Sequence, residues 1–220
     1  MSGCGFLVFS AGAVPPNGRL AGMLFASAAM FAAAAAVFWI VEKAWCASRR
    51  QTSTRPSFPG HEPMTLGKAL WFALVRSSWM VPVALGVSFA VTALCTACGI
   101  ALPKQELVEW FTSGKLAVGE KALVVLYAVA WAPFIEEILF RRFLFRGCRR
   151  FMSPKWAIAV SAAIFAAVHL NVAVLLPIFF LGVVFAWIYE RTARLPAAML
   201  AHLVFNASNV ILMFCFPELV

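Results

Sequence analysis

Apolar residues fall into six long runs separated by polar stretches. Leu20–Val41 is free of charge, and Trp79–Leu102 is interrupted only by Pro82 and a few small polar residues. Ala122–Ile135 runs into Glu136 and Glu137, but apolar positions at Ile138, Leu139, Phe140, Phe143 and Leu144 carry a helical pattern on to about Gly147. Trp156–Leu170 and Val172–Tyr189 are separated by Asn171 alone, and Leu195–Phe216 is the last run. A membrane-crossing helix needs about 20 predominantly apolar residues. The pattern therefore predicts an all-α fold, a polytopic membrane bundle of about six transmembrane helices, with the third interrupted by charge. A polar loop rich in Ser, Thr and Pro covers residues 43–76. Within it, Leu66–Val75 reads as an amphipathic interfacial helix with Trp71 and Phe72 against lipid. The chain divides into residues 1–78 (first span and basic loop), 79–119 (second span and external loop) and 120–220 (the remaining helices). No internal repeat is visible.

Composition supports the bilayer as solvent. The 220 residues are 63% apolar and 12% charged, half the roughly 25% typical of soluble domains. The net charge of +9 is concentrated in loops, with no separate aromatic-basic pattern, so no nucleic-acid partner is expected. Loop 43–76 and segment 141–155 hold six Lys/Arg each, and loop 190–194 holds two. Only Arg19, Lys104, Lys115 and Lys121 fall on the opposite side. A split of fourteen against four alternates correctly for six spans with both termini outside and the basic loops cytoplasmic. A multi-pass protein of a plasma or inner membrane is expected. No basic region precedes the short run Phe6–Val14, so no cleaved signal peptide is expected. Cys95 and Cys98 have redox-motif spacing but lack the βαβ context that gives it meaning; they read as small residues near a helix end.

Charged groups within a span cost roughly 2.5–3.5 kcal/mol each on insertion scales and are functional candidates for that reason. The third span offers Glu136, Glu137, Arg141 and Arg142, the fourth His169, and the sixth His202 and Asn206. At about 1.5 Å per residue, Glu137, His169 and His202 all fall in the middle of a core about 30 Å thick. Glu137 and Arg141 are four apart, share a helix face and can pair. Glu136 is turned about 100° from Glu137. Neighbouring carboxylates in a low dielectric resist ionising together, which leaves Glu136 suited to proton transfer. His202 and Asn206 share a face and can present donors to a developing oxyanion.

Glu136-Glu137-Ile-Leu-Phe-Arg141 fits EExxxR, Phe165-Ala-Ala-Val-His169 fits FxxxH, and His202-Leu-Val-Phe-Asn206 fits HxxxN. In this order on successive helices, over about residues 120–216, these resemble the CPBP family (CAAX proteases and bacteriocin-processing enzymes, also called Abi proteins). Residues 120–220 then read as a CPBP-like catalytic core. The resemblance implies a glutamic-type intramembrane endopeptidase acting on a membrane-associated protein or peptide. Glu136 with His169 would activate water, His202 and Asn206 would stabilise the oxyanion, and Glu137 and Arg141 would support the site. At 142 the chain has arginine where the family often has glycine.

Other readings fit parts of the set. No cofactor is expected on the leading reading. A zinc peptidase would draw its ligands from Glu136, His169 and His202, although HExxH is missing. A small proton- or ion-coupled transporter would use the same buried groups as a relay, although an inverted repeat is missing. An inactive immunity or scaffold protein would keep the fold without using them. Individually, Glu137 with Arg141 reads equally as a structural pair, and Phe165 as packing. Arg142, Arg146, Arg149 and Arg150 read as headgroup anchors, and Asn171 and Asn209 as a turn residue and a helix contact.

Overall fold

The computed structural model describes residues 63–100, 117–169 and 174–216, together with helical positions scattered between Ala29 and Lys43. The expected first span, Leu20–Val41, lies largely outside the described residues. Among the described residues the fold is wholly helical. Among the described residues after 65 there are five helices: α1 (Leu66–Ala97), α2 (Val118–Arg149), α3 (Pro154–Ala167), α4 (Leu175–Thr192) and α5 (Leu195–Cys215). All but α3 are long and apolar enough to cross a membrane.

Two expectations change. Leu66–Val75 is not a separate interfacial helix: α1 continues without a break through Arg76 and Pro82 for 32 residues. The polar residues between the two expected elements are absorbed locally. Ser77 Oγ donates to the Ala73 carbonyl and Ser78 Oγ to the Val75 carbonyl, each at 2.8 Å, the back-bonding by which serine is tolerated inside a helix. The Arg76 guanidinium lies over the Phe72 and Trp187 rings at 5.3 and 5.6 Å. The boundary drawn at residue 78 thus falls within one rigid element. The expected span Trp156–Leu170 is also shorter: α3 has 14 residues, about 21 Å at 1.5 Å per residue. That is shorter than a core about 30 Å thick, and His169 lies two residues beyond its end.

Lipid tails are as apolar as the helices, so close packing of small residues rather than hydrophobicity joins them. α1 shows this directly. Its buried positions Ala69, Ala73, Ser77, Met80 and Ala84 recur every three or four residues and make one stripe. That stripe packs on α4 and α5 through Leu181, Phe185, Ile188, Ala197, Ala201 and Phe205. α4 is the central helix, buried along most of its length. It meets α3 at Gly182, where an added Cβ would lie 3.0 Å from Ala162 Cα and 3.1 Å from Phe165 Cδ1. A side chain here would require its neighbours to give by a few tenths of an ångström.

The basic ends of the helices are tied together. α4 closes on Ala193, whose φ of 51° is left-handed and turns the chain directly into α5. Thr192 Oγ1 donates to Ile188 O at 2.8 Å and accepts from Arg194 N at 3.2 Å. Arg194 Nε donates to Met64 O at 2.7 Å, and Met64 N to Thr192 O at 3.2 Å, fixing the start of α1 to this turn. Arg149 Nε reaches Glu190 Oε2 at 3.0 Å and Oε1 at 3.2 Å, joining the end of α2 to α4. Arg149 is therefore an interhelical tie and not only the headgroup anchor expected of it.

Candidate active site

The site is built on α2, α3 and α5 around a short regular stretch, Ala132–Glu137, which carries both glutamates. Wide turns of π type flank it, over Tyr127–Trp131 and Ile138–Phe145. The first is marked by an i→i+5 bond from Ala132 N–H to Tyr127 O. Such widened turns disturb the regular ladder and recur at functional sites. Here the disturbance is used: Asn206 Nδ2 of α5 donates to the Ala128 carbonyl at 2.7 Å.

The polar residues singled out from the sequence do converge. Glu136, Glu137, Arg141, His169 and His202 are all buried. Arg141 Nε donates to Glu137 Oε2 at 3.0 Å, as the four-residue spacing predicts. The other oxygen of that carboxylate, Oε1, lies 3.0 Å from His202 Nδ1. Glu137 thus links α2 to α5, and an ionised carboxylate there selects the tautomer with hydrogen on Nδ1. His202 Nε2 is then turned to the Glu136 side, 3.9 Å from Oε2. His169 is fixed in the same sense by another partner. Its Nδ1 lies 2.6 Å from Phe165 O, so Nδ1–H donates to that carbonyl and Nε2 is left as the lone-pair nitrogen. His169 Nε2 has no hydrogen-bond partner.

A recess lies against these groups. His169, His202 and Asn206 supply its polar lining, and Val174, Pro177, Ile178, Leu181 and Phe205 much of its apolar wall. A concave, mainly apolar site with a few convergent polar groups is the usual form of a ligand pocket. Neither glutamate is among its lining residues; Glu136 Oε2 lies 3.9 Å from Nε2 of His202, which is one of them.

His169 Nε2 makes no hydrogen bond to Glu136; the imidazole beside that carboxylate is His202. One amide hydrogen of Asn206 is given to a backbone carbonyl. Asn209 is buried, and neither its nitrogen nor its oxygen has a hydrogen-bond partner, so no polar contact to another helix is seen. Among the described residues no three His, Cys, Asp or Glu side chains are grouped closely enough to hold a metal ion. Two participants went unread in the sequence. Phe185 stacks on His202 at 4.5 Å and carried no motif signal. Glu190 carried a faint one, as an acid among the basic loops.

Comparison with known proteins agrees with this core. Residues 118–208 match the family described as Type II CAAX prenyl endopeptidase Rce1-like, a stretch that contains all three motifs from Glu136 to Asn206. The "Putative membrane peptidase YdiL" of Bacillus subtilis (strain 168) is 32% identical over 90 residues, which is 41% of this chain and 37% of that protein. The match therefore spans little more than a third of the relative's length. No solved structure matches the chain. Residues 118–208 are thus similar to the Rce1-like family, and the long apolar helices make the chain an integral membrane protein.

Proposed function

We propose that the chain is an intramembrane endopeptidase that hydrolyses a peptide bond of a membrane-associated protein or peptide. The observation that carries this reading is the chain of contacts from Arg141 through Glu137 to His202, which ends beside Glu136 and on a cavity shared with His169. Such a chain fixes both the position and the tautomer of an imidazole, which is what a proton-transfer site requires.

In the proposed reaction the scissile carbonyl enters the cavity beside His169 and His202. A water held by His169 Nε2 loses a proton to the Glu136 carboxylate as its oxygen attacks the carbonyl carbon. The tetrahedral oxyanion is stabilised by hydrogen bonds from His202 and from the Asn206 amide. Glu136 then returns the proton to the leaving nitrogen as the C–N bond breaks, so that one water is consumed and two peptide ends are released. Glu137 and Arg141 touch no substrate; they hold His202. The basic ends of the helices lie in the cytoplasm on this reading, in keeping with the charge bias of the loops. No cofactor is part of the proposal.

The test is substitution of Glu136 by Gln and of His169 by Ala. Comparative proteomics of membrane peptides, with and without the active chain, identifies the substrate. Cleavage of that substrate should fall by about 10²–10⁴ in each variant, the range supplied by a general base. Unchanged cleavage in both refutes the reading.

A further inference from the structure

Arg141 is fully buried, yet its two terminal guanidinium nitrogens, Nη1 and Nη2, have no hydrogen-bond partner; only Nε is bonded, to Glu137. A buried charge without bonds is costly, so other groups must face it. Those groups are aromatic. The guanidinium carbon lies 4.8 Å from the centre of the Phe165 ring and 5.8 Å from that of Phe185, both within the roughly 6 Å at which a ring face attracts a cation. The same rings hold the imidazoles. Phe185 stacks on His202 at 4.5 Å with planes 22° apart. Phe165 meets His202 edge-on at 6.1 Å and His169 at 4.9 Å. Phe140 supports Phe165 from behind at 4.9 Å, and Gly182 leaves the room in which it sits.

We propose that Phe165 and Phe185 are positioning residues for the reaction, their ring faces carrying the charge of Arg141 so that Arg141, through Glu137, holds His202 in place. The proposal rests on the endopeptidase reading for its reaction, but the geometry it asserts is separate. A phenyl ring that merely fills space does so whatever its electron density. A ring that holds a cation weakens as that density is withdrawn.

The experiment uses the full chain in lipid nanodiscs, with phenylalanine at 165 or at 185 replaced site-specifically by its mono-, di- and trifluoro forms, which nearly keep its shape. The chain has three histidines, so selective ¹⁵N-histidine labelling gives few ring signals, and His202→Ala assigns the one of interest. The Nδ1–H signal of His202, hydrogen-bonded to Glu137, should shift stepwise toward an unbonded value with each added fluorine. On a substrate cleaved by the unmodified chain, kcat should fall about tenfold from phenylalanine to its trifluoro form, with KM changed less than twofold. Phe165→Leu and Phe185→Leu should both show the loss in kcat in full. If one fails to fold, the fluorinated series still decides. A His202 signal and a kcat that stay constant along the series overturn the proposal while leaving the endopeptidase reading intact. Cleavage that survives Glu136→Gln and His169→Ala removes the endopeptidase reading, and a stepwise His202 shift would then still establish the ring-held geometry.

Discussion

The pairs Arg149–Glu190 and Arg141–Glu137 are built differently. At the basic end, Arg149 meets both oxygens of Glu190 and also donates to the Met152 carbonyl at 3.2 Å. Inside the bundle, Arg141 gives Glu137 a single bond, at 3.0 Å, and turns the rest of its charge to two aromatic rings. The other carboxylate oxygen of Glu137 is given to His202. The first pair spends its contacts on closing one end of the bundle. The second holds something back for an imidazole that faces the cavity. A buried ion pair is weak evidence of stability, because desolvation offsets most of its attraction. The arrangement of partners says more about purpose than the pairing does.

Replacing each pair whole with apolar residues separates the two. In Glu137→Leu with Arg141→Met, the net change in unfolding free energy should stay within a few kcal/mol, since a well-packed apolar substitute is often neutral or stabilising. Cleavage should fall by about 10² or more, because His202 loses the carboxylate that orients it. In Arg149→Met with Glu190→Leu, stability should change as little and cleavage should persist. Equal losses of cleavage in the two double variants would end the distinction drawn here. Breaking the pairs singly sharpens it. Arg141→Met alone leaves Glu137 buried beside His202 and should cost about 3–5 kcal/mol. Arg149→Met should cost less, about 1–3 kcal/mol, because this pair lies nearer the bundle's end. Thermal or denaturant unfolding in a fixed detergent measures both. Gly182→Ala should cost a similar amount, about 1–3 kcal/mol, from overpacking against Ala162. That change pushes on Phe165 and so should lower kcat more than it raises KM.

Most of the central site was legible in the sequence because its first pair is local. Glu137 and Arg141 are four residues apart on one helix, and the spacing alone predicts their contact. The bond from Glu137 to His202 spans 65 positions, and nothing in spacing predicts it; only the order of the motifs pointed there. Asn206 was read as a donor, but its contact with Ala128, a backbone carbonyl in a widened turn, was not. A periodicity that assumes 3.6 residues per turn cannot foresee that turn. Arg149 was read as a headgroup anchor because basic residues at a span's end usually are. Its partner Glu190 belongs to a segment read as loop, whereas α4 continues through it to Thr192. The helices themselves followed the apolar runs closely. The exceptions were α1, where back-bonded serines let a helix continue through polar residues, and α3, where an apolar run outlasts its helix.

The widened turns of α2 also set a phase. A π turn carries one more residue than the α turn it replaces, so the residues on its two sides are out of step by about 100° relative to an unbroken helix. Length and composition are then not the only things α2 encodes; it also encodes an angle. Removing one residue from 127–131 would leave a helix nearly as long and as apolar, able to insert as before. Yet it would rotate everything on the N-terminal side of Ala132 by about a quarter turn relative to the glutamates and carry the Ala128 carbonyl out of reach of Asn206. In this helix a single-residue deletion would act as a change of aim.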